Sequence, residues 1–146
     1  MVLYAASYSL ATIGIFAVLT RMEDYTLEGF NGLSKKDPML AGLLTVFLLS
    51  LAGIPLTAGF LAKFYMLQSA LEARYGLIVV VVAVLMAAVS VYYYFRVLQA
   101  MYFREPDAAS SFPVFSSGFK RTLLFIALLI VVLGVQPGWL LRYLYF

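Results

Sequence analysis

The chain has 146 residues, of which 64% are hydrophobic and only 12% are charged, with a formal net charge of +3. A soluble domain is nearer half apolar and a quarter charged, so this composition indicates an integral membrane protein with the lipid bilayer as its surroundings. The basic residues stand at the ends of apolar runs and do not cluster on one polar face, which argues against nucleic acid as a partner.

The sequence contains neither cysteine nor histidine. Iron–sulfur clusters and zinc sites need Cys or His, and haem usually needs His, Met or Cys. We therefore expect no metal site and no redox cofactor in this chain. The same absence excludes Ser-His-Asp and Cys-His catalysis, and the sequence has no glycine-rich phosphate loop.

Four apolar runs are long enough to cross a membrane, since a helix needs about 20 apolar residues to do so. The predicted fold is all-α and polytopic, one membrane domain over residues 1–146 with spans at about 2–20, 39–71, 75–103 and 122–141. The polar segments 21–38 and 104–117 are predicted loops, the first with a short surface helix. Because no basic leader precedes the first apolar run, we expect a chain that begins inside a larger protein and not a secretory signal.

Lys and Arg are distributed unevenly between the two sides of this arrangement. The long loops and their flanks carry Arg21, Lys35, Lys36, Arg104, Lys120 and Arg121, whereas the opposite side carries Arg74 and Arg142. The positive-inside rule then places both long loops in the cytoplasm and both termini in the periplasm of a bacterial inner membrane.

The second apolar run, 39–71, is too long for one straight span. It would extend about 50 Å as a continuous helix, against about 30 Å of hydrocarbon. Gly53 and Pro55 stand near its middle and Gly59 follows. Proline removes a backbone donor and glycine lowers the cost of irregular backbone, so we expect a helix broken at Gly53–Pro55. The freed carbonyls must then face protein or water.

Lys63 lies about 13 Å from the outer end of this run, near the middle of the bilayer. A charge at that depth costs about 2.5–3.5 kcal/mol, and such residues usually face a bundle interior or a cavity. A lysine stem covers only about half that depth, so snorkelling to the interface explains the residue less well. We interpret Lys63 as a proton relay. Ser50 and Thr57 are candidates for lining a hydrated path, although such hydroxyls more often bond to their own backbone.

Arg96 is the other charged residue inside a predicted span. It lies about 20 residues beyond Tyr75, which places it at the cytoplasmic interface beside the aromatic belt Tyr92–Tyr94. Snorkelling accounts for this interfacial charge. Ala83, Ala87 and Ser90 follow helical spacing and predict a packing face of the same helix.

The stretch LSLAGIPLTAGFLAKFY, Leu49–Tyr65, closely resembles the signature of the antiporter-like membrane subunit N (subunit 2) of the proton-pumping NADH:quinone oxidoreductase, respiratory complex I. NGLSKKDPMLAGLLTVFLLS, Asn31–Ser50, and VYYYFRVLQAMYF, Val91–Phe103, resemble that subunit in order and spacing. Multisubunit cation/proton antiporters share the Gly-x-Pro break and the lysine in looser form. The GLSKKDP loop and the YYYFRV segment favour subunit N.

This resemblance implies that the four spans are the last four of roughly fourteen helices, in a fold of two inverted repeats that each contain a broken helix. The run 39–71 then corresponds to the broken helix of the second repeat, and Lys63 to the family's lysine before the periplasmic exit. The chain is expected to be a C-terminal part that needs its N-terminal part for a complete proton path. Flavin, iron–sulfur clusters and quinone are expected in the other membrane and soluble subunits of complex I.

Three functions are compatible with the sequence. The first is a non-redox, proton-translocating subunit of NADH:quinone oxidoreductase that couples quinone reduction to proton transport through Lys63. The second is a subunit of a multisubunit cation/proton antiporter, which is driven by an ion gradient. The third is a structural membrane scaffold in which Lys63 forms a fixed ion pair.

Overall fold

A computed structural model describes residues 2–106, 113–136 and 138. The helices are α1 (Val2–Leu19), α2 (Leu33–Lys36), α3 (Pro38–Ala52), α4 (Ala58–Leu71), α5 (Gly76–Phe103) and α6 (Ser117–Val135), with a 3-10 helix at Glu28–Phe30. No strand occurs in the described residues, as the all-α prediction requires.

Three of these helices, α1, α5 and α6, are long and apolar enough to cross a membrane, and α3 is a shorter apolar helix. The predicted run 39–71 consists of two helices, α3 and α4, with residues 53–57 between them. We call residues 53–57 the break. The polar segment 21–38 contains the 3-10 helix and α2 where one short surface helix was predicted.

The fourth predicted span, 122–141, differs from the structure at its start. Helix α6 begins earlier, at Ser117, because the Ser116 hydroxyl caps it by accepting a hydrogen bond from the Phe119 N–H at 3.3 Å. The helix ends at Val135, and residues 137 and 139–141 lie outside the described part of the chain.

Helix α3 is central and packs against α1, α4, α5 and α6. Asp37 caps its first turn, where Oδ1 accepts a hydrogen bond from the Leu40 N–H at 3.1 Å. Pro38 follows in the first turn, where a backbone N–H has no partner within the helix, so proline costs no hydrogen bond there. The Phe47 ring is fully buried beside Gly14 of α1. A methyl group at Gly14 would overlap this ring, so the close approach of α1 to α3 requires glycine.

The two polar segments meet at one end of the bundle. Lys120 of α6 forms an ion pair with Asp37, and both side chains are largely shielded from solvent. The Arg21 guanidinium lies 4.1 Å from the centroid of the Phe119 ring, a cation–π contact. These contacts hold the N-terminal ends of α3 and α6 and the C-terminal end of α1 together.

Helix α5 has one side against the bundle and the rest of its surface exposed. Its exposed side chains are mostly apolar, including Leu77 and Leu85, as expected for a surface that faces lipid. Ala83, Ala87 and Ser90 are partly buried, and α5 packs on α3 and α4.

Candidate functional site

Helix α3 ends at a left-handed glycine, Gly53, whose φ is 83°. The Gly53 N–H donates to the Ser50 carbonyl at 3.1 Å, and the Ile54 N–H donates to the Leu49 carbonyl at 3.0 Å. This is the Schellman pattern of helix termination. It supplies partners for the carbonyls of Leu49 and Ser50, and it leaves the next two carbonyls of the helix without a backbone donor.

Lys63 of α4 supplies the missing donor. Its Nζ donates to the Leu51 carbonyl at 2.7 Å and to the Ala52 carbonyl at 3.1 Å. A cation at a helix C-terminus also complements the negative end of the helix dipole. An ammonium has three donors, so one N–H remains available for a further acceptor.

The break itself is a tight turn. The turn consists of residues 54–57, with Pro55 at its second position and Leu56, whose φ is 76°, at its third. The Thr57 N–H donates to the Ile54 carbonyl at 3.4 Å and closes the turn. This arrangement is typical of a type II turn, in which the third position is usually glycine. The break therefore uses a leucine in a conformation that L-residues rarely adopt, which no local sequence pattern predicts.

Gly59 allows α4 to approach α3 closely. A Cβ atom at Gly59 would overlap the Ser50 carbonyl oxygen and lie 3.1 Å from the Ser50 Oγ. Ser50 is 2% exposed, and its Oγ has no hydrogen-bond partner among the described residues. The Thr57 hydroxyl, in contrast, donates to the Ile54 carbonyl at 2.7 Å. Of the two hydroxyl candidates, only Ser50 keeps its hydroxyl uncommitted.

Gly134 of α6 lies against the other side of the break. A Cβ atom there would be 2.5 Å from the Thr57 carbonyl carbon and 2.6 Å from the Leu56 oxygen. Gly134 was not predicted from the sequence, because a glycine in an apolar helix does not indicate a contact with a segment almost 80 residues earlier in the chain.

Lys63 is half-buried. Lys63 forms no ion pair with any side chain that the structure describes. The amine is therefore held by backbone carbonyl oxygens. Residues 2–106 and 113–136 contain no group of three or more acidic side chains suited to a metal ion.

Arg96 stands apart from the break. It is exposed on α5 and lines a groove together with Thr45 of α3. The structure thus brings Lys63, Gly53, Ser50 and Gly59 together at the break and leaves Arg96 on the outer surface of the bundle.

A family model described as NADH:quinone oxidoreductase/Mrp antiporter, TM, matches residues 1–90. NADH-quinone oxidoreductase subunit N 2 of Acidobacterium capsulatum is 42% identical over 148 residues, covering 97% of this chain and 30% of that protein. Subunit N of Flavobacterium psychrophilum is 39% identical over 145 residues, covering 97% of this chain and 31% of that protein. The chain therefore spans less than a third of the length of these curated relatives.

A solved structure of respiratory complex I from Thermus thermophilus with bound aureothin contains a similar chain. The two share 33% sequence identity with a TM-score of 0.82, over 93% of this chain and 32% of that one. The similarity therefore extends to the three-dimensional arrangement of the helices.

Proposed function

The chain belongs to the NADH:quinone oxidoreductase/Mrp antiporter membrane family, and we propose that it is part of a complex I subunit N that relays protons through Lys63. The observation that carries the proposal is the position of the Lys63 Nζ, on the free carbonyls at the break between two helices. The relatives named subunit N align with nearly the whole chain, which favours complex I over an antiporter.

In this proposal α3 and α4 form one broken span, so that with α1, α5 and α6 the chain crosses the membrane four times. Broken helices at the membrane midplane commonly form ion-binding sites in transporters. The uneven distribution of Lys and Arg supports cytoplasmic long loops and periplasmic termini in a bacterial inner membrane. The remainder of the subunit and the other membrane and soluble subunits of complex I are the proposed partners.

The proposed proton step is an exchange at the Lys63 amine. The ammonium makes charge-assisted bonds to the Leu51 and Ala52 carbonyls, and such bonds are about twice as strong as neutral ones. A charge arriving nearby changes the relative stability of the charged and neutral forms of the amine. Two unit charges 4 Å apart interact by about 4 kcal/mol at an effective dielectric constant near 20. Quinone reduction would supply that charge from the partner subunits, and this chain would need no redox group.

The proposal is tested by Lys63→Ala in the protein assembled in its native membrane. We expect proton pumping and coupled quinone reductase activity to fall. The matched control is Lys35→Ala, which removes an exposed ion pair with Glu105 that is worth little to stability. Wild-type rates in a fully assembled Lys63→Ala protein would refute the relay.

The same contacts favour a second candidate, a structural scaffold. An ammonium fixed permanently on the last carbonyls of α3 is simply a helix cap, and it would never release its proton. Infrared spectra of protein with isotope-labelled lysine distinguish the two functions. An amine band that changes with pH or with turnover supports the relay, whereas an invariant ammonium band supports the cap.

An antiporter subunit is the third candidate, because the family description also names Mrp antiporters. Such a protein moves protons in response to a cation gradient without quinone or NADH. Sodium-driven proton movement in vesicles lacking both redox substrates would favour the antiporter and contradict redox coupling. Neighbouring genes for NADH dehydrogenase subunits would favour complex I.

A further inference from the structure

A groove of about 590 Å³ lies between α3 and α5, within the range of small-ligand sites. Its wall includes Thr45 of α3 and Tyr92, Phe95, Arg96, Gln99 and Tyr102 of α5. Tyr92 is 60% exposed and Phe95 is 49% exposed, so the groove opens towards the outside of the bundle, where lipid would be. It is separate from the break and takes no part in the proposed proton relay.

Arg96 is the only charged residue among the lining side chains that the structure describes. It forms no ion pair with any described residue, and none of the described lining residues carries a carboxylate. As far as the described residues line it, the groove is therefore cationic. A guanidinium presents a planar fork of donors that fits the oxygens of a phosphate in pairs.

The position of Arg96 along α5 lets its guanidinium reach the phosphate level of a bilayer. Helix α5 is about 42 Å long at 1.5 Å per residue, so a centred helix perpendicular to about 30 Å of hydrocarbon would project roughly 6 Å at each end. Arg96 lies about 10 Å before the C-terminal end of the helix and hence about 4 Å inside the hydrocarbon boundary. An arginine stem spans that distance and brings its head to the phosphates.

Some polar groups of the groove form hydrogen bonds within the protein, and others remain available to a ligand. The Thr45 hydroxyl donates to the Ala41 carbonyl at 2.8 Å, so the Tyr102 hydroxyl, 3.0 Å away, must be the donor to Thr45. This bond connects α3 with α5. Arg96, Gln99 and the Tyr92 hydroxyl remain available as donors.

We propose that this groove binds an acidic phospholipid of the surrounding bilayer, with the phosphate on Arg96 and an acyl chain along the aromatic wall. A free phosphate would gain nothing from Phe95 and its apolar neighbours.

Native mass spectrometry of the protein purified from its membrane tests the proposal, with phosphatidylglycerol and phosphatidylethanolamine of matched chains as probes. We expect wild type to retain phosphatidylglycerol at least about fivefold better, and Arg96→Gln to lose this preference. Arg104→Gln is the matched control, since Arg104 is exposed just beyond α5 and does not line the groove. Equal losses in both variants, or none in Arg96→Gln, would overturn the proposal.

A second measurement uses otherwise unaltered protein, in case Arg96→Gln does not assemble. A photoreactive benzoylphenylalanine replaces Phe95 at the rim of the groove. Crosslinks to phosphatidylglycerol, undiminished by millimolar inorganic phosphate, support the lipid. Crosslinks only to another protein subunit show a protein occupant, and loss of the lipid crosslink on adding phosphate shows a simple anion site; either result overturns the proposal.

Discussion

Gly53 and Lys63 lie against each other across the break. A Cβ atom at Gly53 would stand 3.0 Å from Cδ and 3.3 Å from Nζ of Lys63. The same glycine has a φ of 83°, a conformation in which a side chain costs about 1–2 kcal/mol. The residue that ends α3 therefore also leaves room for the amine that caps it.

Gly53→Ala should lower the free energy of unfolding by about 1–2 kcal/mol and displace the Lys63 amine, with slower proton pumping. The control is Gly42→Ala in the same helix, where a methyl group meets nothing within 4 Å and should raise stability by about 0.5–1 kcal/mol. Thermal unfolding in detergent and pumping rates provide the measurements. Similar effects of the two substitutions would contradict the left-handed conformation of Gly53 and its contact with Lys63.

Leu56→Gly should stabilise the break. Leu56 is 74% exposed and has a φ of 76°, so glycine relieves the strain and loses little packing. Glycine also increases the entropy of the unfolded chain, and after that cost is subtracted we expect the free energy of unfolding to rise by about 0.5–1 kcal/mol. Leu56→Val should instead destabilise the protein. Melting temperatures in the opposite order would show that the turn does not hold this conformation.

Gly134→Ala should destabilise the protein by about 1–3 kcal/mol, because the methyl group would press on the backbone of Thr57. Gly118→Ala is the matched control in the same helix. Its methyl group has no neighbour within 4 Å, so it should be neutral or stabilising. Equal melting temperatures for the two variants would show that α6 does not pack on the break.

Asp37 should contribute through two separate interactions. Asp37→Asn keeps the cap on α3 and removes the ion pair with Lys120, whereas Asp37→Ala removes both and should cost about 1 kcal/mol more. A double-mutant cycle of Asp37→Asn with Lys120→Met should give a coupling of about 1 kcal/mol that weakens in high salt. A coupling near zero at low salt would contradict the pairing.

The helices were largely predictable because their signals are local. A long apolar run predicts α5, and Gly53 with Pro55 marks the end of α3 within a few residues. The early start of α6 was missed because a single serine cap, Ser116, outweighs the polar composition that suggested a loop. A cap of this kind shows in a sequence only when the helix start is already suspected.

The site was less predictable because its contacts join distant segments. The depth of Lys63 indicated a special environment, but the sequence did not identify the Leu51 and Ala52 carbonyls as the groups that hold the amine. Those acceptors follow from the Schellman end at Gly53, which leaves the last carbonyls of α3 free. The contact of Gly134 with the break has no such local sign, since it depends on how α6 packs.

Lys63→Arg separates proton transfer from capping most directly. Arginine keeps the positive charge and several donors for the end of α3, but its guanidinium does not release a proton in proteins. The deciding measurement is the rate of redox-driven proton translocation by the assembled Lys63→Arg protein in sealed vesicles. We expect this variant to melt near the wild-type temperature and to pump far more slowly than wild type. Wild-type pumping by that variant would show that Lys63 only caps the helix.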